Sequence, residues 1–229
     1  MKIGGLQRSS LIDYPGKVGA VVFTQGCNFR CPFCHNPELV NATLFREPIS
    51  EDDILGFLRT RRGKLDAVTV TGGEPTLQED LASFLQKIKD LGFFIKIDTN
   101  GSFPAMIGIL LEKGLVDYCA MDLKGPLHKY DIITRTKANI SDLKESIALI
   151  AGSGVPHEFR TTLVACLLTG KDILEIAGLI PFAPKYVLQK FVPSKLLDSH
   201  FRNEKTFGDE EITAIKSRLE KMLSSVMVR

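Results

Sequence analysis

Six short β-rich runs, separated by amphipathic stretches, constrain this chain more than any other feature. They are Val18–Thr24, Ala67–Thr71, Phe93–Thr99, Val116–Leu123, Glu158–Val164 and Tyr186–Phe191. Several are almost continuously apolar, which suits strands covered on both faces. Helix signals lie between them. Ser50-Glu51-Asp52-Asp53 supplies a capping residue and an acidic first turn, and Ile54, Phe57 and Leu58 share a face behind it. Thr76-Leu77-Gln78-Glu79 fits a capping box. Leu81, Phe84, Leu85, Ile88 and Leu91 follow at helical spacing, and Gly92 stops the run. Leu143, Ile147 and Ile150 repeat the pattern before Gly152, and Lys171–Leu179 forms a shorter helix. A last helix begins near Asp209, with Ile212, Ile215, Leu219, Met222 and Val226 on one side.

Such alternation builds right-handed βαβ units and a parallel sheet. Six units are fewer than the eight of a closed barrel. An open partial (β/α)6 barrel and a doubly wound sheet both fit. In either, the chemistry belongs at the C-terminal ends of the strands. The expected organisation is one domain over 1–229. Its core spans about 18–192, between an N-terminal extension and the C-terminal helix.

Composition excludes several functions. The 29 basic and 27 acidic residues leave a charge of +2, which gives no basic face for nucleic acid. No apolar run reaches the roughly 18–20 residues of a membrane span, and no apolar h-region follows the N-terminus. Five cysteines, three of them within Cys27–Cys34, make a poor disulfide framework. They point to a reducing, cytoplasmic setting and to metal or redox chemistry.

Cys27, Cys31 and Cys34 form C-x3-C-x2-C directly after the first run. Three thiolates on one loop can converge on a soft metal centre. Three ligands on a four-iron cubane leave one iron open. A structural zinc knot with His35 is the bland alternative, although zinc loops usually divide their ligands into two pairs.

With Phe33 before the last cysteine, this triplet resembles the signature of radical SAM enzymes. The wider run is Asp13-Tyr14-Pro15-Gly16, then Gln25-Gly26-Cys27 through Cys34-His35-Asn36-Pro37-Glu38-Leu39. It resembles the activating enzymes of glycyl-radical proteins, and most closely those of anaerobic ribonucleoside-triphosphate reductase. The resemblance implies a radical SAM partial barrel with a [4Fe–4S] cluster on Cys27, Cys31 and Cys34. S-adenosylmethionine would bind the open iron. Reductive cleavage would give methionine and a 5′-deoxyadenosyl radical, which takes a Cα hydrogen from a glycine of the partner. A flavodoxin or ferredoxin would supply the electron.

Weaker motifs gain meaning beside the triplet. Gly72-Gly73-Glu74-Pro75 reads alone as a tight turn. It resembles the family's GGE motif, which binds the methionyl amino group, with Glu74 as an acceptor. Asp98, Thr99 and Asn100 read alone as a capped Asn-Gly turn. The resemblance sets them beside the cofactor's methionyl and ribose end. Asp122 and Lys124 share a strand face and could be a plain salt bridge. In the family the corresponding run faces the cofactor and the peptide radical site. Arg160 and Gln189 alternate with apolar neighbours, so either could point inward or outward. His35 is expected near the cluster but not on it, and Cys119 and Cys166 as packed thiols.

No cysteine falls between Cys34 and Asp66, so the cluster-bearing insert of some activating enzymes is missing. Activators of pyruvate formate-lyase also lack it. They usually carry Asp-Gly-Pro-Gly where this chain has Tyr14. That difference and Pro37-Glu38-Leu39 lean toward the reductase branch. Pyruvate formate-lyase activation, radical chemistry on a small molecule, and a structural zinc or iron–sulfur module stand as alternatives.

Overall fold

The computed structural model describes residues 1–229. Its elements in order are β1 (Ile3–Ser10), β2 (Gly19–Thr24), α1 (Pro37–Val40), α2 (Glu51–Arg59), β3 (Ala67–Gly72), α3 (Leu81–Asp90) and β4 (Phe94–Thr99). Then come α4 (Pro104–Glu112), β5 (Tyr118–Asp122), α5 (Tyr130–Thr134), α6 (Ile140–Gly152) and β6 (His157–Leu163). The chain ends with α7 (Gly170–Gly178), β7 (Tyr186–Lys190), α8 (Asp209–Leu219) and β8 (Val226–Val228).

The eight strands lie side by side in sequence order. β2 to β8 are parallel, and β1 joins β2 antiparallel. A doubly wound sheet needs a point where strand order reverses, and none exists here. β1 and β8 do not pair, so the barrel stays open. No helix is long and apolar enough to cross a membrane.

The six expected strands all form. The sheet is wider than expected, because the N-terminal extension supplies β1 and the last residues supply β8. The last helix stops at Leu219. Met222 is exposed, and Val226 pairs with Tyr186 as part of β8. Ser50 caps α2 by accepting from the Asp53 N–H at 3.1 Å. The expected box at Thr76 does not form. Thr76 lies in a short 3-10 turn, Pro75–Leu77, its hydroxyl bonds Glu74, and α3 begins only at Leu81.

Strand parity decides what the barrel contains. Val68, Val70, Ile95, Ile97, Cys119, Met121, Phe159 and Leu163 belong to the main apolar cluster, with Phe84 and Ile88 of α3. Their neighbours Thr71, Asp98, Asp122, Arg160 and Thr162 line a cavity on the other face. The expectation of strands apolar on both faces is therefore corrected. The helix-covered face is apolar, and the inner face carries buried charge.

Candidate active site

The loops at the C-terminal ends of β2 and β3 are sewn together by backbone. The Gly73 N–H donates to Thr24 O at 2.9 Å and the Glu74 N–H to Gly26 O at 2.8 Å. This closeness explains both glycines. Gly72 has φ +112, and a Cβ there would meet Thr24 N at 2.5 Å. A Cβ on Gly73 would meet Gly26 O at 2.0 Å. Gly73→Ala should therefore displace the segment leading to Cys27. The expected loss is about 1–3 kcal/mol, with reduced iron retention; normal iron content and an unchanged denaturation midpoint would refute it.

Glu74 is 1% exposed and ties its own loop to the end of β4 through its side chain. Oε1 accepts from Thr76 N (3.1 Å), Thr76 Oγ1 (2.5 Å) and Thr99 Oγ1 (2.7 Å). Oε2 accepts from Asn100 N at 2.6 Å. A carboxylate offers about four acceptor sites, two on each oxygen, so the protein saturates Oε1 and leaves Oε2 one lone pair. Burial pushes its pKa up, against these bonds. Glu74→Gln would turn an amide donor toward one of these donors. A loss of about 1–3 kcal/mol is expected, read from chemical denaturation; no change would mean that the tie is idle.

The triplet loop follows. Cys31 and Phe33 are buried, Cys27 and Cys34 half-buried, and all four line one cavity of about 420 Å3. Asn100 reaches the loop through Nδ2, 2.9 Å from Asn28 Oδ1 and 3.9 Å from Cys27 Sγ. Burial pushes the Cys27 thiol up to about 12 and Cys31 to about 11, and raises Cys34 as well. Lys124 opposes the rise at all three.

No three His, Cys, Asp or Glu side chains converge as one metal ion needs. His35 lines the same cavity, but its Nε2 lies 2.9 Å from Val192 O and its ring stacks on Phe191. That geometry does not fit the zinc knot. A cubane instead holds its thiolates at separate corners, and iron takes the protons from coordinating thiols. Three thiols around one cavity, without a fourth ligand, fit such a cluster with one open iron.

A chain of alternating charge crosses the floor of the cavity. Lys96 bonds Asp98. Arg160 joins Asp98 (Nη1 to Oδ2, 3.2 Å) to Asp122 (Nε to Oδ1, 2.7 Å). Lys124 Nζ completes it at 3.2 Å from Asp122 Oδ2. Burial alone would raise both carboxyls, but the cations, Arg160 foremost, hold them well below the usual range. Burial would likewise lower the Lys124 ammonium, yet Asp122 holds it well above its ordinary value. The Lys124 N–H donates to Tyr130 Oη at 3.1 Å, and Tyr130 sits edge-on to Phe29.

The cavity thus gathers Cys27, Cys31, Phe33, Cys34, Gly72, Gly73, Glu74, Asp98, Thr99, Asn100, Asp122 and Lys124. Pro75 is buried in its turn, outside the lining. Arg160 and Gln189 both point inward. Cys119 is a packed thiol, but Cys166 is exposed, against expectation. The sequence reading missed Lys96, although the alternation Ile95-Lys96-Ile97-Asp98 is its signal.

A family model described as Radical SAM superfamily matches residues 21–181, and the chain belongs to that superfamily. A Methanocaldococcus jannaschii protein assigned as a glycyl-radical enzyme activating enzyme is 32% identical over 235 residues, covering 99% of this chain and 95% of its own. The pyruvate formate-lyase-activating enzyme of Clostridium pasteurianum is 38% identical over 190 residues, 78% and 76% of the two chains. Within the superfamily the chain is thus a glycyl-radical enzyme activating enzyme. Among solved structures, SuiB of Streptococcus suis matches with a TM-score of 0.70 at 14% identity, over 91% of this chain and 48% of SuiB. The chain spans about half of SuiB, and that likeness concerns the fold alone.

Proposed function

We propose that this enzyme activates an anaerobic ribonucleoside-triphosphate reductase, and that Cys27, Cys31 and Cys34 hold the [4Fe–4S] cluster. Tyr14 carries the choice of partner. It stands where activators of pyruvate formate-lyase usually have glycine. Its ring is buried, 5.9 Å from that of Tyr118. A glycine there would leave that packing empty, so the difference is built into the base of this barrel. The identity with the Clostridium pasteurianum enzyme favours a second reading, a pyruvate formate-lyase-type partner.

When bound, the cluster and S-adenosylmethionine supply the radical that takes the glycine Cα hydrogen. The chain supplies position. Gly72 and Gly73 offer bare backbone. Asp98, Thr99, Asn100 and Phe33 shape the cofactor's side of the cavity. Asp122 holds the Lys124 ammonium toward the thiols, where it meets the cofactor or the inserted glycine loop. The unpaired edges of β1 and β8 leave the barrel open to that loop. The setting is cytoplasmic and reducing, with a flavodoxin or ferredoxin as donor.

The test reconstitutes the enzyme anaerobically, reduces it, adds S-adenosylmethionine and offers either purified partner. An electron paramagnetic resonance signal of a glycyl radical on the reductase supports the proposal. A signal on the lyase alone overturns the choice of partner. Deoxyadenosine with neither signal would move the reading to a small-molecule substrate.

A further inference from the structure

A depression outside the thiol loop is unused by the chemistry above. It holds about 570 Å3, and its lining includes Arg30, Asn41, Arg135, Leu197, Asp198 and His200. Its wall is the outer cover of the loop. The Leu197 N–H donates to Cys34 O and the Asp198 N–H to Pro32 O, both at 3.0 Å. Arg30 lies between Cys27 and Cys31, and its N–H donates to Thr134 O at 2.8 Å.

The charge of this surface is uneven. Asp198 is the only carboxylate in the lining, and it is already engaged. Arg135 reaches it at 2.7 Å, and the backbone and ring of His200 at 2.9 and 2.8 Å. Arg30 is exposed and meets no carboxylate; its guanidinium bonds only the carbonyls of Cys27 and Phe29, at 2.5 and 2.8 Å. Arg202, on the same turn as His200, adds an exposed cation. Two apolar side chains stand on neighbouring segments, Ile132 of α5 at 72% exposure and Leu44 at 48%.

We propose that this depression docks an acidic one-electron carrier protein, which reduces the cluster across the Cys27–Cys34 loop. The inference rests on the cluster assignment above. The carrier loses one electron, the cluster gains it, and no bond forms at the surface. Redox encounters use small interfaces, and complementary charge speeds them more than it tightens them. Unpaired cations with a little exposed apolar surface, one layer from the thiols, match that chemistry.

The experiment uses cluster-loaded enzyme and a flavodoxin of net negative charge. Arg30→Gln removes the charge but keeps a donor for the loop carbonyls. Ile132→Glu adds a negative charge on α5, the helix that ends at Arg135, outside the catalytic cavity. Binding is titrated by flavin fluorescence at low and high salt. S-adenosylmethionine cleavage is driven by flavodoxin or by excess chemical reductant. Each variant should weaken binding about threefold, the scale of one exposed charge pair, and slow flavodoxin-driven cleavage, with the difference shrinking in salt. Cleavage with chemical reductant should not change for Ile132→Glu. Unchanged binding in both variants overturns the proposal. Loss of partner activation under chemical reductant in Ile132→Glu also overturns it, because the surface would then serve the radical acceptor. If no reductant supports cleavage in the unmodified enzyme, the cluster reading itself has failed.

Discussion

Replacing any one of Cys27, Cys31 or Cys34 by Ala is expected to abolish reductive cleavage of S-adenosylmethionine. The fall should be about a thousandfold or more, on the order of 4 kcal/mol of barrier. The three thiols line one cavity, and no ready-made set of three His, Cys, Asp or Glu side chains offers a metal another place in the chain. Losing one leaves two ligands, too few to hold a four-iron cluster with a single open site. The controls are in the same chain. Cys119 is buried in β5, within the apolar cluster and away from the cavity. Cys166 is exposed beyond β6. Cys119→Ala and Cys166→Ala should retain iron and cleavage. Iron, sulfide and 5′-deoxyadenosine are measured together. Full activity in a triplet variant, or iron loss in a control, would show that the ligand set is wrong.

The sequence revealed whatever rests on local pattern. The six inner strands announced themselves by composition, and the site loops by their place after strands. What it hid depends on tertiary partners. Ile3-Gly4-Gly5-Leu6-Gln7-Arg8-Ser9-Ser10 has two glycines and no alternation, and becomes β1 through pairing with β2. Val226 continues the apolar row of α8 in helical register, yet β7 recruits it as a strand. Thr76 and Glu79 had capping-box spacing, but Glu74 captures the Thr76 hydroxyl instead. Glu74 itself was legible as a site residue, while its use as a tie between loops needed Thr99 and Asn100 brought to it from β4.

Arg160→Met is expected to cost about 3–5 kcal/mol, the usual result of removing one member of a buried ionic network. For a chain of this size that lowers Tm by roughly 10 °C. Arg160 is 9% exposed and is the one group joining Asp98 of β4 to Asp122 of β5. Without it each carboxylate keeps a single lysine, Lys96 or Lys124, and faces the other carboxylate across the strands. Arg160→Lys should recover part of the loss, because an ammonium cannot fork to both partners as a guanidinium does. The pH dependence separates this electrostatic origin from lost packing. Both carboxyls titrate lower in the folded protein than in the unfolded chain, despite burial, chiefly because of Arg160. Their contribution is complete above the usual carboxylate range of about 4 and fades as pH falls through their folded values. The gap between wild type and Arg160→Met should therefore be widest near neutrality and narrow below about pH 4. Denaturant melts at pH 7 and pH 3 measure it. A gap of equal size at both would assign the loss to the arginine's aliphatic packing and remove the charge network from the account of how Lys124 is held beside the thiols.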